Sequence, residues 1–289
     1  MTYTLVMIRT FNLQDDIGLI CEIADMNLEE FASEIPLSKR SLLYAQTGTF
    51  SNKTLEKIYS TIYDTGYRLS AAKNELFQEL LKADEELFFH GSKYGISEID
   101  CRGSRSDSDF SNGFYCTQRF ESASSFVADV RYSSVYVFKA SLSELNCLKF
   151  DCCLDWMLAI SCYRGKLPQY SSHPGIQRIL SEINNADVVI APIADNRMFE
   201  VLNQFNAGEI TSVQALHSLS ASRLGDQFVF KTQKAVNSLV PLDRYYLCDA
   251  ERNSAISQAK DNENIIQTKL KLAKREFRNQ GKYIDELFL

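Results

Sequence analysis

Apolar positions divide the chain into a helical first third, a middle of short strands and a helical end. Between residues 12 and 84, Ile17, Ile20, Ile23 and Ala24 recur at helical spacing. Asn27 stands at an N-cap position, with Glu29 and Glu30 in the first turn of a helix running to Glu34. Ser38 caps a second helix that Gly48 stops. Ser51-Asn52-Lys53 opens a third, with Leu55, Ile58, Ile62 and Tyr63 on one face. Leu76, Phe77, Leu80 and Leu81 predict a connecting helix over 68–86. No stretch rich in Gly, Pro or Ser separates that helix from Leu87, so the helical module is expected to pack directly onto the domain after it.

From Leu87 the pattern shortens. Leu87-Phe88-Phe89, Phe114-Tyr115, Val135–Ala140, Leu148–Phe150, Ala186–Ile193 and Gln227–Thr232 read as strands, several of them β-branched and aromatic. Helices are expected over 122–130 with Ala123, Phe126 and Val127 inward, from Asp155 onward, near 198–206 and 211–221, and over Lys234–Leu239. In the tail, Ile266, Leu270, Ala273 and Phe277 repeat at helical spacing. The fold class is α+β: an all-α module over 12–84, a strand-containing domain over 86–246 and a helical tail over 250–289.

Composition narrows the function classes. With 289 residues the chain can bury a sizeable core without disulfides. A net charge of −6 gives no general attraction to nucleic acid or anionic membranes. Eight cysteines without a C-x-x-C, and three histidines (His90, His173 and His217), speak against a zinc site. No metal is expected, the thiols read as free, and His173 and His217 read as surface residues without a task. No apolar run is long enough for a signal peptide or a membrane span, which makes the expected location cytoplasmic.

Met26–Gly48 resembles the helix-turn-helix of the phage-repressor class, with Leu28, Phe31, Ala32, Ile35, Leu37, Leu42 and Leu43 at its apolar positions. In DNA-binding members the second helix enters the major groove; here it would present Ser38, Lys39, Arg40, Ser41 and Tyr44. Residues 1–84 hold 8 Lys or Arg against 12 Asp or Glu, whereas phosphate contacts supply much of DNA affinity. Binding DNA and docking a partner protein both stay open for this module.

No phosphate loop, dinucleotide fingerprint, nucleophile elbow or metalloprotease helix occurs. There remain polar groups at strand ends: His90-Gly91-Ser92, Gly113-Phe114-Tyr115, and Asp226-Gln227 or Ala194-Asp195. These pieces come in the order Phe89-His90-Gly91-Ser92, Asp109–Thr117, Asp155-Trp156, Tyr163-Arg164, Asp187–Asp195, Asp226–Phe230. In that order, residues 86–246 resemble the ADP-ribosyltransferase superfamily, in its His-Tyr branch, and more closely a little-characterised bacterial family of that fold.

The resemblance implies a split-sheet domain that takes NAD and transfers ADP-ribose to a macromolecular target. Such transfer breaks the nicotinamide–ribose bond through an oxocarbenium-like centre, so the protein must grip ribose hydroxyls and place negative or dipolar charge there. His90 would bond the adenosine-side ribose, with Ser92 beside it, and the Gly91 backbone would pair the nicotinamide amide. Tyr115, after Gly113 and Phe114, would stack on the nicotinamide ring. Arg164 and Arg105 are the pyrophosphate candidates, and Asp109 with Arg105 falls in a polar loop, 101–112, expected as a lid. The superfamily usually has Glu at the third catalytic position; here Gln227, Asp226 and Asp195 compete for it.

A bacterial toxin, defence or effector protein is the implied setting, with a toxin–antitoxin arrangement in which a partner protein or the helical module restrains the enzyme. The alternatives are a non-catalytic module that binds NAD or a protein, and a transcription regulator with a nucleotide-sensing domain.

Overall fold

A computed structural model of the chain describes residues 11–34, 51–194, 198–220 and 224–289. Helices α1 (Leu13–Ile23), α2 (Leu28–Glu34), α3 (Asn52–Asp64) and α4 (Leu69–Glu79) precede strand β1 (Glu85–Ser92). Next come β2 (Phe114–Thr117), α5 (Phe120–Ser125), β3 (Ser134–Ser141), β4 (Cys147–Lys149) and α6 (Leu154–Tyr163). After these are α7 (Pro174–Asn185), β5 (Val188–Pro192), α8 (Met198–Asn206), α9 (Ser212–Leu219) and β6 (Asp226–Phe230). Last are α10 (Gln233–Ser238), β7 (Val240–Tyr246) and α11 (Asp249–Glu276). The fold is mixed α+β. The expected second helix of the repressor-like motif, which Ser38 caps and Gly48 stops, lies outside the described residues.

The chain forms two compact units, each built from separated stretches. The first takes residues 1–98, 120–141 and 239–257. In it β1 and β3 pair antiparallel, as do β3 and β7. Leu87, Phe89, Val135, Val137 and Tyr245 share one buried cluster with Ile17, Ile20, Leu55, Ile58 and Ile62 of the helices. Each large apolar side chain buried this way contributes roughly 1.5–3 kcal/mol. The helical module therefore has a common core with β1, β3 and β7. Local capping agrees with the sequence: Asn27 Oδ1 accepts from the Glu29 and Glu30 N–H groups at 2.9 and 3.0 Å, and Glu30 returns the bond from the Asn27 N–H. Lys73 of α4 lies buried between Asp16 of α1 and Asp243 of β7, and the Tyr59 hydroxyl donates to Asp16 at 2.5 Å.

The second unit takes residues 99–119, 142–238 and 258–289. β4 runs parallel to β5, β5 antiparallel to β6, and β6 antiparallel to β2. Its core gathers Trp156, Met157, Ile160, Ile176, Ile179, Ile183, Val201 and Phe205 against Val189, Ala191 and Val229. Leu270 and Ile284 from the end of the chain join it.

Two elements were not expected from the sequence. Helix α7 has Ile176, Ile179 and Ile183 buried at helical spacing, Pro174 in its first turn and His173 as its N-cap, accepting from the Gly175 N–H at 3.2 Å. Strand β7 carries Pro241, Asp243 and Arg244, which hid it; it pairs with β3 and ends the strand order, where Pro is tolerated.

Other expectations need correction. Helix α5 stops at Ser125, so Phe126 turns out to solvent (56% exposed) while Ala123 and Val127 stay buried. Helix α4 ends at Glu79, short of the expected 86, and Leu76 within it and Leu80 after it are both exposed. The tail helix stops at Glu276. His173 and His217 do have tasks: the first caps α7 and its ring meets Phe288, and the second packs on Phe277 at 4.5 Å between centroids.

Candidate functional site

In the second unit, Gln227 is a polar residue on an apolar face. Strand alternation puts Val229 toward the helices, and Gln227, two positions earlier, shares that side. Val229 faces Tyr115 and Val189 across the ladder, and Gln227 faces Thr117 and Ala191. A buried amide in that position needs partners. It finds two: Nε2 donates to Asp109 Oδ2 at 3.1 Å and to the Pro192 carbonyl at 3.2 Å.

Asp109 is itself buried, at 7% exposure. Its Oδ1 accepts from Arg164 Nε at 2.9 Å and from Arg164 Nη2 at 2.6 Å. The Arg164 guanidinium in turn lies 3.4 Å over the Phe199 ring. Burial raises the Asp109 carboxyl above the usual carboxylate range, while Arg164 and Gln227 pull it back.

The loop carrying Asp109 is fastened at its base. Tyr115 of β2 donates its hydroxyl to the Ser111 carbonyl at 2.7 Å and accepts from the Phe110 N–H at 3.1 Å. Burial lifts that hydroxyl above the usual phenol range. Lys231, just past β6, donates to the Phe110 carbonyl at 2.6 Å and to the Asn112 carbonyl at 3.3 Å, and burial lowers its ammonium. Asn112 reaches back to the Ser104 carbonyl, and the Gly113 N–H to the Ser104 hydroxyl, both at 3.0 Å. Phe110 is fully buried. A Cβ on Gly113 would stand 2.4 Å from a Val229 methyl, so only glycine lets β2 begin this close to β6.

A family described as "Protein of unknown function (DUF3990)" has a model that matches residues 87–240, more than half of the chain. The chain belongs to this family. No curated protein and no solved structure matches it. In this DUF3990 chain the matched stretch starts within β1 and contains every candidate site residue, while the helical module and the tail fall outside it.

The candidates divide between the two units. The second unit brings together Asp109, Tyr115, Arg164 and Gln227. Phe114 is buried opposite Phe230, and Asp226 is half-buried opposite Pro192. Arg105 is exposed, 3.5 Å from Asp107. Asp195 lies outside the described residues.

His90, Gly91 and Ser92 belong to the first unit, at the end of β1 opposite Tyr136, Val135 and Ser134. The His90 and Tyr136 rings are 6.5 Å apart. A Cβ on Gly91 would meet the Ala123 carbonyl at 2.3 Å, so the close approach of α5 requires glycine there.

Lys231 and Ser104 escaped sequence reading. Lys231 leaves a signal, a lone cation directly after the apolar Phe228-Val229-Phe230; Ser104 leaves none. Among the described residues, no group of three His, Cys, Asp or Glu could hold a metal ion, and no helix is long and apolar enough to cross a membrane.

Proposed function

We propose that the chain is an NAD-dependent ADP-ribosyltransferase whose third catalytic position is Gln227 backed by Asp109. One observation carries this reading. Both neighbours of the Gln227 amide nitrogen, Asp109 Oδ2 and the Pro192 carbonyl, are acceptors, so the amide must turn its nitrogen to them. Oε1 then points away and has no partner among the described residues. A carbonyl held in that manner is suited to accept a ribose hydroxyl, the task Glu performs in the family this domain resembles.

NAD is the substrate in this scheme. The nicotinamide–ribose bond breaks, nicotinamide leaves with the bonding pair, and a nucleophile of the macromolecular acceptor forms the new bond at the same carbon. Gln227 orients the ribose, and its carbonyl dipole faces the developing positive charge. Asp109 holds Gln227, and Arg164 holds Asp109. His90 and the Gly91 backbone keep the ribose and nicotinamide roles that the resemblance gives them, and Tyr115 the stacking role. Arg105, exposed on its loop, remains the candidate for the pyrophosphate. The helical module is the proposed dock for a restraining partner protein or DNA, in a toxin, defence or effector setting.

A second reading, a module that binds NAD without transferring ADP-ribose, is favoured by Asp109 having both oxygens engaged, which leaves no free carboxylate in the cluster. The deciding experiment incubates the full chain with NAD labelled in its ADP-ribose half plus cell lysate. Labelled macromolecules and released nicotinamide support transfer. Saturable NAD binding without either product supports the second reading and overturns the first.

A further inference from the structure

Three residues line up across the strands of the first unit. His90 of β1 faces Tyr136 of β3, and Tyr136 faces Arg244 of β7. Residues opposed in antiparallel strands share a side of the sheet, and strand alternation sets this side away from Leu87, Phe89, Val135 and Val137, which pack with the helices. Tyr136, in the middle of the row, is 1% exposed. Its ring centroid lies 6.5 Å from that of His90 and 5.3 Å from the Arg244 guanidinium. Arg244 Nε and Nη2 both donate to the Ser134 hydroxyl, at 3.1 Å each, which holds the guanidinium beside that ring.

A buried tyrosine hydroxyl needs a partner, and here the partner comes from the segment that follows His90-Gly91-Ser92. The Ile96 N–H donates to Tyr136 Oη at 3.0 Å, so the chain leaving β1 folds back onto β3. Gly95 permits that return: its φ is +82°, and a Cβ there would stand 3.2 Å from Tyr136 Oη and 3.3 Å from Arg244 Nη2. Lys93, at the start of the segment, is tied to Asp129 at 2.8 Å. Tyr136 therefore touches His90 with its ring and holds the backbone beyond His90 with its hydroxyl.

We propose that Tyr136 is a positioning residue for His90, fixing the imidazole through its ring and clamping residues 93–96 through its hydroxyl. What His90 grips, the adenosine-side ribose, rests on the ADP-ribosyl-transfer reading above. That ribose is remote from the bond that breaks. Loosening His90 then weakens ground state and transition state alike, so the loss falls on KM and spares kcat. A purely structural role would instead reduce the amount of active enzyme and lower kcat at constant KM.

Tyr136→Phe in the full chain keeps the ring and removes only the hydroxyl. A first readout needs no NAD. The chain has three histidines, so the His90 imidazole cross-peak in a carbon–proton NMR spectrum is assigned by its loss in His90→Ala. It is expected to move in Tyr136→Phe while those of His173 and His217 stay. The second readout is nicotinamide release, with KM for NAD about fivefold higher in Tyr136→Phe, kcat unchanged, and no further rise when the change is added to His90→Ala. A His90 cross-peak that stays in place, or moves only together with the other two, overturns the proposal. So does an unchanged KM in an active enzyme, or a rise that is additive with His90→Ala. A moved His90 cross-peak in a chain whose wild type releases no nicotinamide removes the ADP-ribosyl-transfer reading and leaves Tyr136 as the residue that positions His90.

Discussion

Gln227 donates its amide proton to Asp109 across 118 positions of sequence, at 3.1 Å, and both groups are buried. That bond ties the last strand of the second unit to a loop more than a hundred residues earlier. Its geometry accommodates an amide but not a second carboxylate.

Gln227→Glu therefore is not a repair toward the usual family residue. It sets acceptor against acceptor at Asp109 and at the Pro192 carbonyl, and two adjacent carboxylates raise each other's pKa. Folded carboxyls with raised pKa lose stability as pH rises past their unfolded value. The variant should be less stable than wild type by about 1–3 kcal/mol at pH 8 and closer to it at pH 5, in urea unfolding.

Arg164, itself half-buried, makes the burial of Asp109 tolerable. Arg164→Met should cost about 3 kcal/mol by leaving Asp109 buried against one neutral donor. Adding Asp109→Asn should return part of that loss. A double-mutant cycle by chemical denaturation reads the coupling, and strictly additive losses would contradict the pairing.

The glycines make a sharp contrast. Gly91→Ala drives a Cβ to 2.3 Å from the Ala123 carbonyl, so α5 must shift, and a loss of about 1–3 kcal/mol is expected. Gly18, within α1, would meet nothing within 4 Å, so Gly18→Ala should gain about 0.5–1 kcal/mol. Thermal unfolding of the two variants should therefore move the midpoint in opposite directions.

Glu251, near the start of α11, provides a pH-dependent signal. Burial pushes its carboxyl up to about 7, while bonds from the Cys248 thiol and N–H pull the other way. The folded state holds this proton over a range where the unfolded chain has released it. Stability is thus greatest below the ordinary Glu value and falls as pH rises toward 7. Glu251→Gln should match wild type near pH 4 and exceed it by about 1 kcal/mol or more at pH 8; equal curves at both pH values would contradict the burial of that charge.

The sequence exposed most elements because their apolar periodicity is local. Ile17 and Ile20, Leu55 with Ile58 and Ile62, and the run Phe228-Val229-Phe230 each announce their element. It failed where polar residues do structural work. Pro241, Asp243 and Arg244 concealed an edge strand, and His173 concealed a helix start. Strand spacing also cannot reveal that Glu85–Ser92 shares a core with the N-terminal helices, since that depends on contacts between distant segments.

The candidate residues Asp109, Arg164 and Gln227 were legible as types, but their mutual bonding was not. Arg164 read as a phosphate ligand because nothing local ties it to a carboxylate 55 positions earlier. Asp109 read as part of a lid, yet the buried Phe110 beside it and the Lys231 bonds beneath it fasten that segment down.

The most direct measurement is nicotinamide release from NAD by the purified full chain, compared with His90→Ala and Gln227→Ala. Gln227→Ala removes the oriented carbonyl, and an alanine fits where glutamine did. The account predicts measurable release by wild type and a loss of about tenfold or more in each variant, with the fold intact by circular dichroism. Release unchanged in Gln227→Ala, or none from wild type with lysate present as acceptor, would contradict it.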